Sequence, residues 1–289
     1  MIGYVENSGK DAGRPFHNSS AWCVEGKVAQ VARKRLLPTY DVFDEARYFE
    51  PGEESLVLEH KGKKIAVTIC EDVWNESGEL YATDPLDEVR ENTPDLLLNL
   101  SASPWHQGKQ SVRREVLAKV AIKCGCPVIY VNLVGGNDEL IFDGASMAVN
   151  ADGERISHLP AFEEAIRVVD FSEEATGRET VVASLENLRK ALVLGLRDYA
   201  HKSGFAKGLV GLSGGIDSAV TAAIATEALG AENVIGISLP SAISSEHSKD
   251  DAAHLASNLG IEYSTLAIQS IVDATAGELE PLFLSLIHI

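Results

Sequence analysis

The sequence of 289 residues is poor in cysteine, and this shortage excludes a disulfide-stapled secreted domain. Its four cysteines, Cys23, Cys70, Cys124 and Cys126, are too few and too unevenly spaced for a disulfide framework. Cys124 and Cys126 form a C-x-C pair without a second pair or nearby histidines, which disfavours a zinc site. The sequence therefore predicts reduced cysteines and a cytoplasmic protein, with the C-x-C pair buried as small apolar residues.

Basic charge is also scarce. The 25 Lys and Arg residues face 43 Asp and Glu residues, which gives a formal net charge of −18. This imbalance disfavours binding to nucleic acid or to a membrane surface, and no basic cluster offsets it. The N-terminus lacks a charged-then-apolar signal pattern, and no apolar run reaches the length of a bilayer span. We therefore predict no nucleic-acid partner and no membrane partner, whereas a small anionic substrate held by loops and helix ends stays compatible.

What the chain does contain is typical of a globular α/β protein. Its length allows two modest domains, and the acidic, apolar-poor residues 171–180 predict a linker between domains at residues 1–175 and 182–289. Apolar periodicity predicts strands at residues 63–70, 95–100, 127–132, 207–212, 234–239 and 261–268, helices at residues 109–124, 185–201, 218–229 and 245–259, and a hairpin at residues 144–158. Alternating strands and helices in the second domain favour a parallel doubly wound sheet with its ligand at the carboxyl ends of the strands.

A glycine-rich stretch at residues 211–218 follows the strand at 207–212 and opens the next helix. Strand, glycine-rich turn and helix is a context in which backbone N–H groups bind an anion. Gly214 and Gly215 let the backbone approach a phosphate, and the hydroxyl of Ser213 adds a donor. Asp217 is better suited to a metal ion beside that phosphate than to the phosphate itself.

A Walker loop is excluded, since no Gly-Lys-Ser/Thr follows. Two other interpretations of this stretch stay open. Gly211, Ser213 and Gly215 also satisfy G-x-S-x-G, the nucleophile elbow of serine hydrolases, and a structural turn without a ligand is the third interpretation. Asp217 and the serine after it favour a nucleotide, because the stretch resembles the SGGxDS loop of the ATP pyrophosphatases. That resemblance implies that ATP binds here, with Mg²⁺ on Asp217. The implied ATP-binding residues are Gly211, Leu212, Ser213, Gly214, Gly215, Ile216, Asp217 and Ser218.

Cys70 is the candidate nucleophile. It ends a buried-type strand and precedes Glu71, Asp72 and Trp74. A thiol there reacts if a nearby cation lowers its pKa or a base takes its proton, and a core cysteine at a strand end is the alternative. The surrounding sequence resembles the nitrilase, or carbon–nitrogen hydrolase, superfamily. The stretches that carry this resemblance occur in one order at residues 34–40, 70–74, 99–104 and 134–144.

The resemblance implies a four-layer α-β-β-α sandwich with a Glu–Lys–Cys triad. By position Cys70 matches the nucleophile, and Lys34 matches the lysine that stabilises the oxyanion formed when a thiolate attacks an amide. Glu45 lies where a second supporting carboxylate could sit, and a solvated loop acid is the alternative for it. Lys109 stands where an arginine is common, which weakens its case as a bidentate carboxylate clamp. The positions that match the glutamine-binding residues of the glutaminase branch are Tyr40, Glu71, Ser103 and Lys109.

The two halves in this order resemble the family of the glutamine-dependent NAD synthetases. Residues 239–241, 244–248 and 250–253 add to the resemblance. It implies a ligase in which a partial nitrilase-type sandwich releases ammonia from glutamine, followed by the first part of a Rossmann-like ATP-pyrophosphatase domain that amidates deamido-NAD with Mg²⁺ and ATP. The implied partners are glutamine or ammonia and deamido-NAD, with a homo-oligomer for the complete protein. An amidase whose second domain binds a nucleotide as a regulator is the alternative, and a serine hydrolase acting through Ser213 is a third.

Compared with that family, we expect the chain to be incomplete at both ends. The family's general-base glutamate lies upstream of the first residues here, and Glu6 is not that residue. The family also continues past residue 289. Residues 284–289 match one reading frame of a common sequencing-library adapter, so we expect a frame cut short and little overall activity from the chain as given. A long read of the source DNA checks this expectation.

Overall fold

The structure is a computed structural model that describes residues 1–9, 13–75, 78, 80–172 and 185–280. It divides the chain into two compact units, Met1–Gly135 with Leu140–Leu188 and Gly136–Glu139 with Arg189–Ile289. Most of the predicted linker, residues 173–180, lies outside the described residues, as do residues 284–289. In the part of the chain that is described, no helix is both long and apolar enough to cross a bilayer.

The first unit contains a three-stranded and a six-stranded sheet. The smaller sheet is an antiparallel meander of β1 (Ile2–Asn7), β2 (Phe16–Val24) and β3 (Lys27–Arg33). The larger sheet has the order β11-β10-β7-β6-β5-β4, and β5, β6 and β7 are parallel. Its strands are β4 (Leu56–His60), β5 (Lys63–Ile69), β6 (Leu96–Ser101), β7 (Val128–Asn132), β10 (Met147–Val149) and β11 (Arg155–His158), and β8 (Val134–Asn137) with β9 (Leu140–Asp143) forms a separate pair.

Strand β5, between β6 and the edge strand β4, is buried on both faces, which explains its continuous apolar sequence. Because side chains alternate along a strand, Ala66 packs in a core with α1 (Pro85–Glu91) and α2 (Lys109–Cys124), whereas Ile65 and Val67 pack against Ala32 of β3 on the other face. The layers are therefore helices, larger sheet and smaller sheet. This arrangement confirms the α/β fold class.

Local signals set the ends of the helices in this unit. Asp84 caps the N-terminus of α1 by accepting a hydrogen bond from the Leu86 N–H, and Pro85 occupies the first turn. Helix α2 ends at Gly125, whose φ of +66° suits the left-handed C-cap position that glycine favours. The predicted helix at residues 109–124 is confirmed.

The second unit contains a parallel sheet in the order β12-β13-β14. Its strands are β12 (Gly208–Gly211), β13 (Val234–Ser238) and β14 (Glu262–Thr265), and its helices are α3 (Leu185–Lys202), α4 (Ile216–Leu229), α5 (Glu246–Leu259) and α6 (Gln269–Leu279). Small side chains such as Ala222, Ala225 and Ala252 lie in its core, so α4 and α5 pack closely. The predicted alternation of strands and helices is confirmed, and the carboxyl ends of the strands meet at one edge.

Candidate active site

Cys70 lies at the carboxyl end of β5, where the chain turns sharply into the 3₁₀-helix Cys70–Val73. Its φ is +46°, a left-handed conformation that costs a residue other than glycine roughly 1–3 kcal/mol. Backbone strain of this kind clusters at active sites. The turn brings Cys70 to a cavity of about 840 Å³ that Lys34 and Glu45 also line.

Lys34 and Glu45 form a buried ion pair in this cavity. The Lys34 side chain is 1% exposed, and its Nζ lies 2.6 Å from Glu45 Oε1. The second carboxylate oxygen, Glu45 Oε2, is buried and has no hydrogen-bond partner among the described residues. A buried ammonium is tolerated when an opposite charge accompanies it. The pair therefore fixes a positive charge beside the nucleophile candidate, and Glu45 contacts Lys34 rather than lying free in solvent.

The groups around Cys70 have opposite effects on the pKa of its thiol. Burial raises the pKa of the Cys70 thiol, the charge of Lys34 lowers it, and the carboxylates of Glu71 and Glu45 raise it further. Lys34 is thus the neighbouring group that favours the thiolate, the form of cysteine that attacks a carbonyl. The net effect is a raised pKa, so nucleophilic attack by Cys70 would require a base that takes the thiol proton.

Glu71 accepts hydrogen bonds from two tyrosines. Tyr40 Oη donates to Glu71 Oε1 at 2.7 Å, and Tyr81 Oη donates to the same oxygen at 3.1 Å. Glu71 is buried. The pKa of each phenol is raised by the phenol's own burial and by its interaction with the Glu71 carboxylate. The two phenols hold the carboxylate in place through Oε1.

Lys109, the first residue of α2, lies over the ring of Trp74 with its Nζ 4.3 Å from the ring centroid. Such a cation–π contact stabilises an ammonium group that has lost water. Burial lowers the pKa of Lys109, and the nearby Cys70 and Glu71 raise it. Lys109 therefore lies within electrostatic reach of both residues.

A buried polar network supports the remaining candidate, Ser103. The Ser103 N–H donates to Asn132 Oδ1 at 2.9 Å. Asn132 Nδ2 in turn donates to Asp143 Oδ1 at 3.3 Å, and the same carboxylate pairs with Arg113 at 3.1 Å. Arg113 and Asp143 have no exposed side-chain surface. The network fixes the backbone at Ser103 and belongs to the structural frame of the site.

Sequence reasoning missed several residues that this geometry brings together. Tyr81 has no motif around it, and its bond to Glu71 spans ten positions. Trp74 and Asp72 lie within the stretch that resembles the nitrilase superfamily, but the contact of Trp74 with Lys109 depends on where α2 begins. Asp143 and its partners come from separate elements, so only the folded chain reveals them.

The glycine-rich loop of the second unit joins β12 to α4. Gly215 is the N-cap residue of α4 and has no side chain to accept a hydrogen bond. No capping side chain therefore bonds to the N–H groups of the first turn. Ser218 Oγ donates to the Gly215 carbonyl at 2.9 Å, and the Gly215 N–H donates to Ser213 Oγ at 3.2 Å. A cavity of about 450 Å³ opens at the carboxyl ends of the strands, and Ser213 and Ser248 line it. This geometry suits an anion at the helix N-terminus.

Asp217 is the candidate metal ligand of this loop. It lies in the first turn of α4, and its side chain is exposed. Over the described ranges, no group of three or more His, Cys, Asp or Glu residues could hold a metal ion. One carboxylate fits Mg²⁺, which keeps several waters and is held in nucleotide sites mainly by phosphate oxygens. The loop therefore fits a magnesium ion that arrives with a nucleotide.

The serine-hydrolase interpretation needs a base beside Ser213. Ser213 Oγ instead lies 3.2 Å from Ser218 Oγ and accepts from the Gly215 N–H. No histidine of the described segments is hydrogen-bonded to it. The geometry favours an anion-binding loop over a nucleophile elbow.

Comparisons with known proteins agree with both halves. The family model for carbon–nitrogen hydrolase matches residues 1–178, and the model for NAD synthase matches residues 188–284. The chain is 46% identical over 276 residues to glutamine-dependent NAD(+) synthetase of Synechocystis sp., covering 92% of this chain and 50% of that protein. It is 40% identical to the protein of the same name from Thermotoga maritima, covering 98% of this chain and 54% of that protein.

A solved structure shows the same similarity. The glutamine-dependent NAD+ synthetase of Acinetobacter baumannii, in complex with ADP, superposes with a TM-score of 0.85 at 36% identity and covers 97% of this chain and 52% of that chain. The chain spans about half the length of the relatives it matches. The carbon–nitrogen hydrolase model covers more than half of the sequence. The chain therefore belongs to the carbon–nitrogen hydrolase family. An NAD synthase domain follows the hydrolase domain in the sequence, in the order found in glutamine-dependent NAD(+) synthetases.

Proposed function

We propose that the protein is a glutamine-dependent NAD synthetase, a ligase that converts deamido-NAD to NAD. Glutamine supplies the nitrogen, and ATP is cleaved to AMP and pyrophosphate. The observation that carries the proposal is the strained Cys70 beside the buried Lys34–Glu45 pair, in a chain whose next domain presents the 211–218 loop at an open helix N-terminus.

In the proposed glutaminase half, Cys70 Sγ attacks the side-chain amide carbonyl of glutamine. The Lys34 ammonium stabilises the negative charge that develops on the carbonyl oxygen. The tetrahedral species collapses to a thioester as ammonia leaves with the proton given up by the thiol. Water then hydrolyses the thioester, which releases glutamate and regenerates the thiol.

The zwitterionic end of glutamine needs an anion and a cation in the site. Tyr40 and Tyr81 both donate to Glu71 Oε1, which leaves Oε2 for the α-ammonium group of the substrate. Lys109 supplies the positive charge for the α-carboxylate, held by its contact with Trp74. A lysine is a point charge and cannot form the bidentate clamp of an arginine.

In the proposed synthetase half, the N–H groups at the start of α4 and the hydroxyls of Ser213 and Ser218 bind the phosphates of ATP. Asp217 would hold Mg²⁺, and the ion would supply positive charge to offset that of the pyrophosphate. Adenylylation of the nicotinate carboxylate of deamido-NAD then gives ammonia a leaving group, AMP, to displace.

The test uses the full reading frame that encodes this sequence, supplied with deamido-NAD, Mg²⁺ and ATP. Cys70→Ser is expected to abolish NAD formation driven by glutamine and to spare formation driven by ammonium. Asp217→Asn is expected to impair both. Cys23→Ser, at an exposed cysteine, is the matched control and leaves both rates unchanged. Equal loss of both routes in Cys70→Ser contradicts the division of labour, and glutamine hydrolysis without any NAD formation favours an amidase with a regulatory nucleotide site.

A reducing compartment suits this chemistry, because Cys70 acts as a free thiol. All four cysteines are free, and we propose the cytoplasm as the location. A homo-oligomer of the complete protein stays a prediction, which light scattering during gel filtration measures directly.

A further inference from the structure

Asp72 is a buried carboxylate that bonds only to the backbone. Its Oδ2 accepts from the Ile69 N–H at 2.9 Å, and its Oδ1 accepts from the N–H groups of Arg35 and Leu36 at 2.9 Å each. The residue is 3% exposed. No Lys or Arg side chain in the described ranges forms an ion pair with it, although the charge of the nearby Lys34 favours its ionised form.

The three donors flank the two residues to which the reaction is assigned. Ile69 immediately precedes Cys70, the residue with a φ of +46°. Arg35 immediately follows Lys34, the buried ammonium. One side chain therefore joins the segment after β3 to the turn after β5, although these segments lie more than thirty positions apart.

We infer that Asp72 is a positioning residue that holds the Cys70 turn and the Lys34 segment in one fixed arrangement, so that the ammonium faces the thiol. The inference rests on the proposed function, because Cys70 and Lys34 are taken as the reacting thiol and its cation. Asp72 itself touches neither substrate nor the reacting atoms; it acts through the backbone on both.

A carboxylate is needed at this position because donors approach both of its oxygens. In Asp72→Asn, one oxygen becomes an NH₂ group that faces an N–H donor, so either the Ile69 bond or the pair of bonds from Arg35 and Leu36 is lost. The size of the side chain stays the same. The variant therefore releases one of the two segments without opening a cavity.

The effects of charge and of position on the Cys70 thiol have opposite signs. Removing the negative charge of Asp72 alone favours the thiolate and moves the titration of Cys70 to lower pH. Displacing Lys34 removes the charge that lowers the pKa of the thiol, and the titration moves to higher pH. The direction of the shift therefore separates a positioning role from a purely electrostatic one.

The test measures alkylation of Cys70 by iodoacetamide in the full chain as a function of pH, with peptide mass spectrometry to separate Cys70 from the exposed Cys23. The pH range starts at neutrality, because burial raises the pKa of Asp72 to about 6 and the carboxylate is ionised above that. In Asp72→Asn we expect the profile to move to higher pH by about one unit, which slows alkylation about tenfold at a given pH. An unchanged profile, or a move to lower pH, overturns the inference.

Asp84→Asn is the matched control. Asp84 also accepts a backbone N–H, from Leu86, and pairs with Lys123, but it caps α1 and lies outside the site. It is expected to lower thermal stability without moving the Cys70 profile. Far-ultraviolet circular dichroism and thermal unfolding of both variants show that the comparison is between folded proteins.

A second measurement needs no variant. In the wild-type chain the amides of Ile69, Arg35 and Leu36 are all bonded to Asp72, so we expect each to be protected from hydrogen exchange. Exchange of any of these amides at the rate of an exposed amide overturns the inference. Neither measurement uses glutamine, ATP or deamido-NAD, so a failure here is distinguishable from a failure of NAD formation.

Discussion

Lys34→Met is the substitution that most sharply separates structure from chemistry at this site. It keeps the length of a side chain that is 1% exposed and removes its charge. Glu45 then keeps a largely buried carboxylate without its partner. Breaking a buried ion pair by removing one member costs about 3–5 kcal/mol, and we expect about 3 kcal/mol, the low end, because the Glu45 side chain is 20% exposed.

The same change removes the positive charge proposed to meet the oxyanion. Loss of one hydrogen-bond donor to the oxyanion lowers kcat by a factor of about 10²–10³. We expect a fall of that size in the release of glutamate from glutamine, measured in the full reading frame below the temperature at which Lys34→Met unfolds. Thermal unfolding of the same preparation measures the stability term.

The double variant Lys34→Met/Glu45→Gln removes both charges and separates the two effects. Without an unpaired carboxylate, we expect stability to return to within about 1 kcal/mol of the wild type, since neutral replacements of a buried pair are often tolerated. The rate of glutamate release stays low. A double variant that regains both stability and rate rules out a role for Lys34 at the oxyanion, because Lys34 then acts only through the fold.

Three further predictions concern the structure around the two sites. Asp143→Asn leaves Arg113 buried without its counter-charge, which costs about 3–5 kcal/mol and lowers the melting temperature by about 6–20 °C; a change below about 2 °C contradicts the buried pair. Gly214→Ala places a Cβ against the Ser248 carbonyl oxygen at a φ of +81°, so calorimetry is expected to show a loss of more than about 1 kcal/mol in the free energy of unfolding, together with weaker ATP binding. A hydrogen bond from an arginine lowers the pKa of Glu6 from 4.5 to about 2, so its contribution to stability is present above pH 4.5 and is lost as pH falls towards 2. In Glu6→Gln the urea midpoint of unfolding should depend less on pH over that range. A pH dependence identical to that of the wild type argues against the ion pair of Glu6 with Arg33.

Much of the fold could be predicted from the sequence because its signals are local. The apolar run of β5, the helical spacing of α2 and the glycine-rich turn before α4 each identify an element without knowledge of its neighbours. The strand β3 was missed, since most of its residues are exposed and its sequence contains no buried run. The helix α1 was also missed, because seven residues are too few to show a helical period.

The site could be predicted only in part, because its geometry depends on contacts between distant segments. Cys70 and Lys34 are recognisable from the stretches around them. The positive φ of Cys70 is not predictable from the sequence, because the position is not a glycine. The sequence does not decide whether Glu45 is a supporting carboxylate or a loop acid, and only the folded chain brings its carboxylate to 2.6 Å from Lys34 Nζ. Its part in catalysis stays a prediction. The bonds of Asp72 to two separate segments cannot be read from any single motif.

Trapping the acyl-enzyme tests the nucleophilic role of Cys70 most directly. The full reading frame that encodes this sequence is mixed with isotopically labelled glutamine, quenched in acid during turnover and digested. Mass spectrometry then locates the label. We expect one γ-glutamyl group on the peptide that contains Cys70, held as a thioester that hydroxylamine releases and absent in Cys70→Ser. A label on another residue, or glutamine-driven NAD formation that continues in Cys70→Ser, contradicts it.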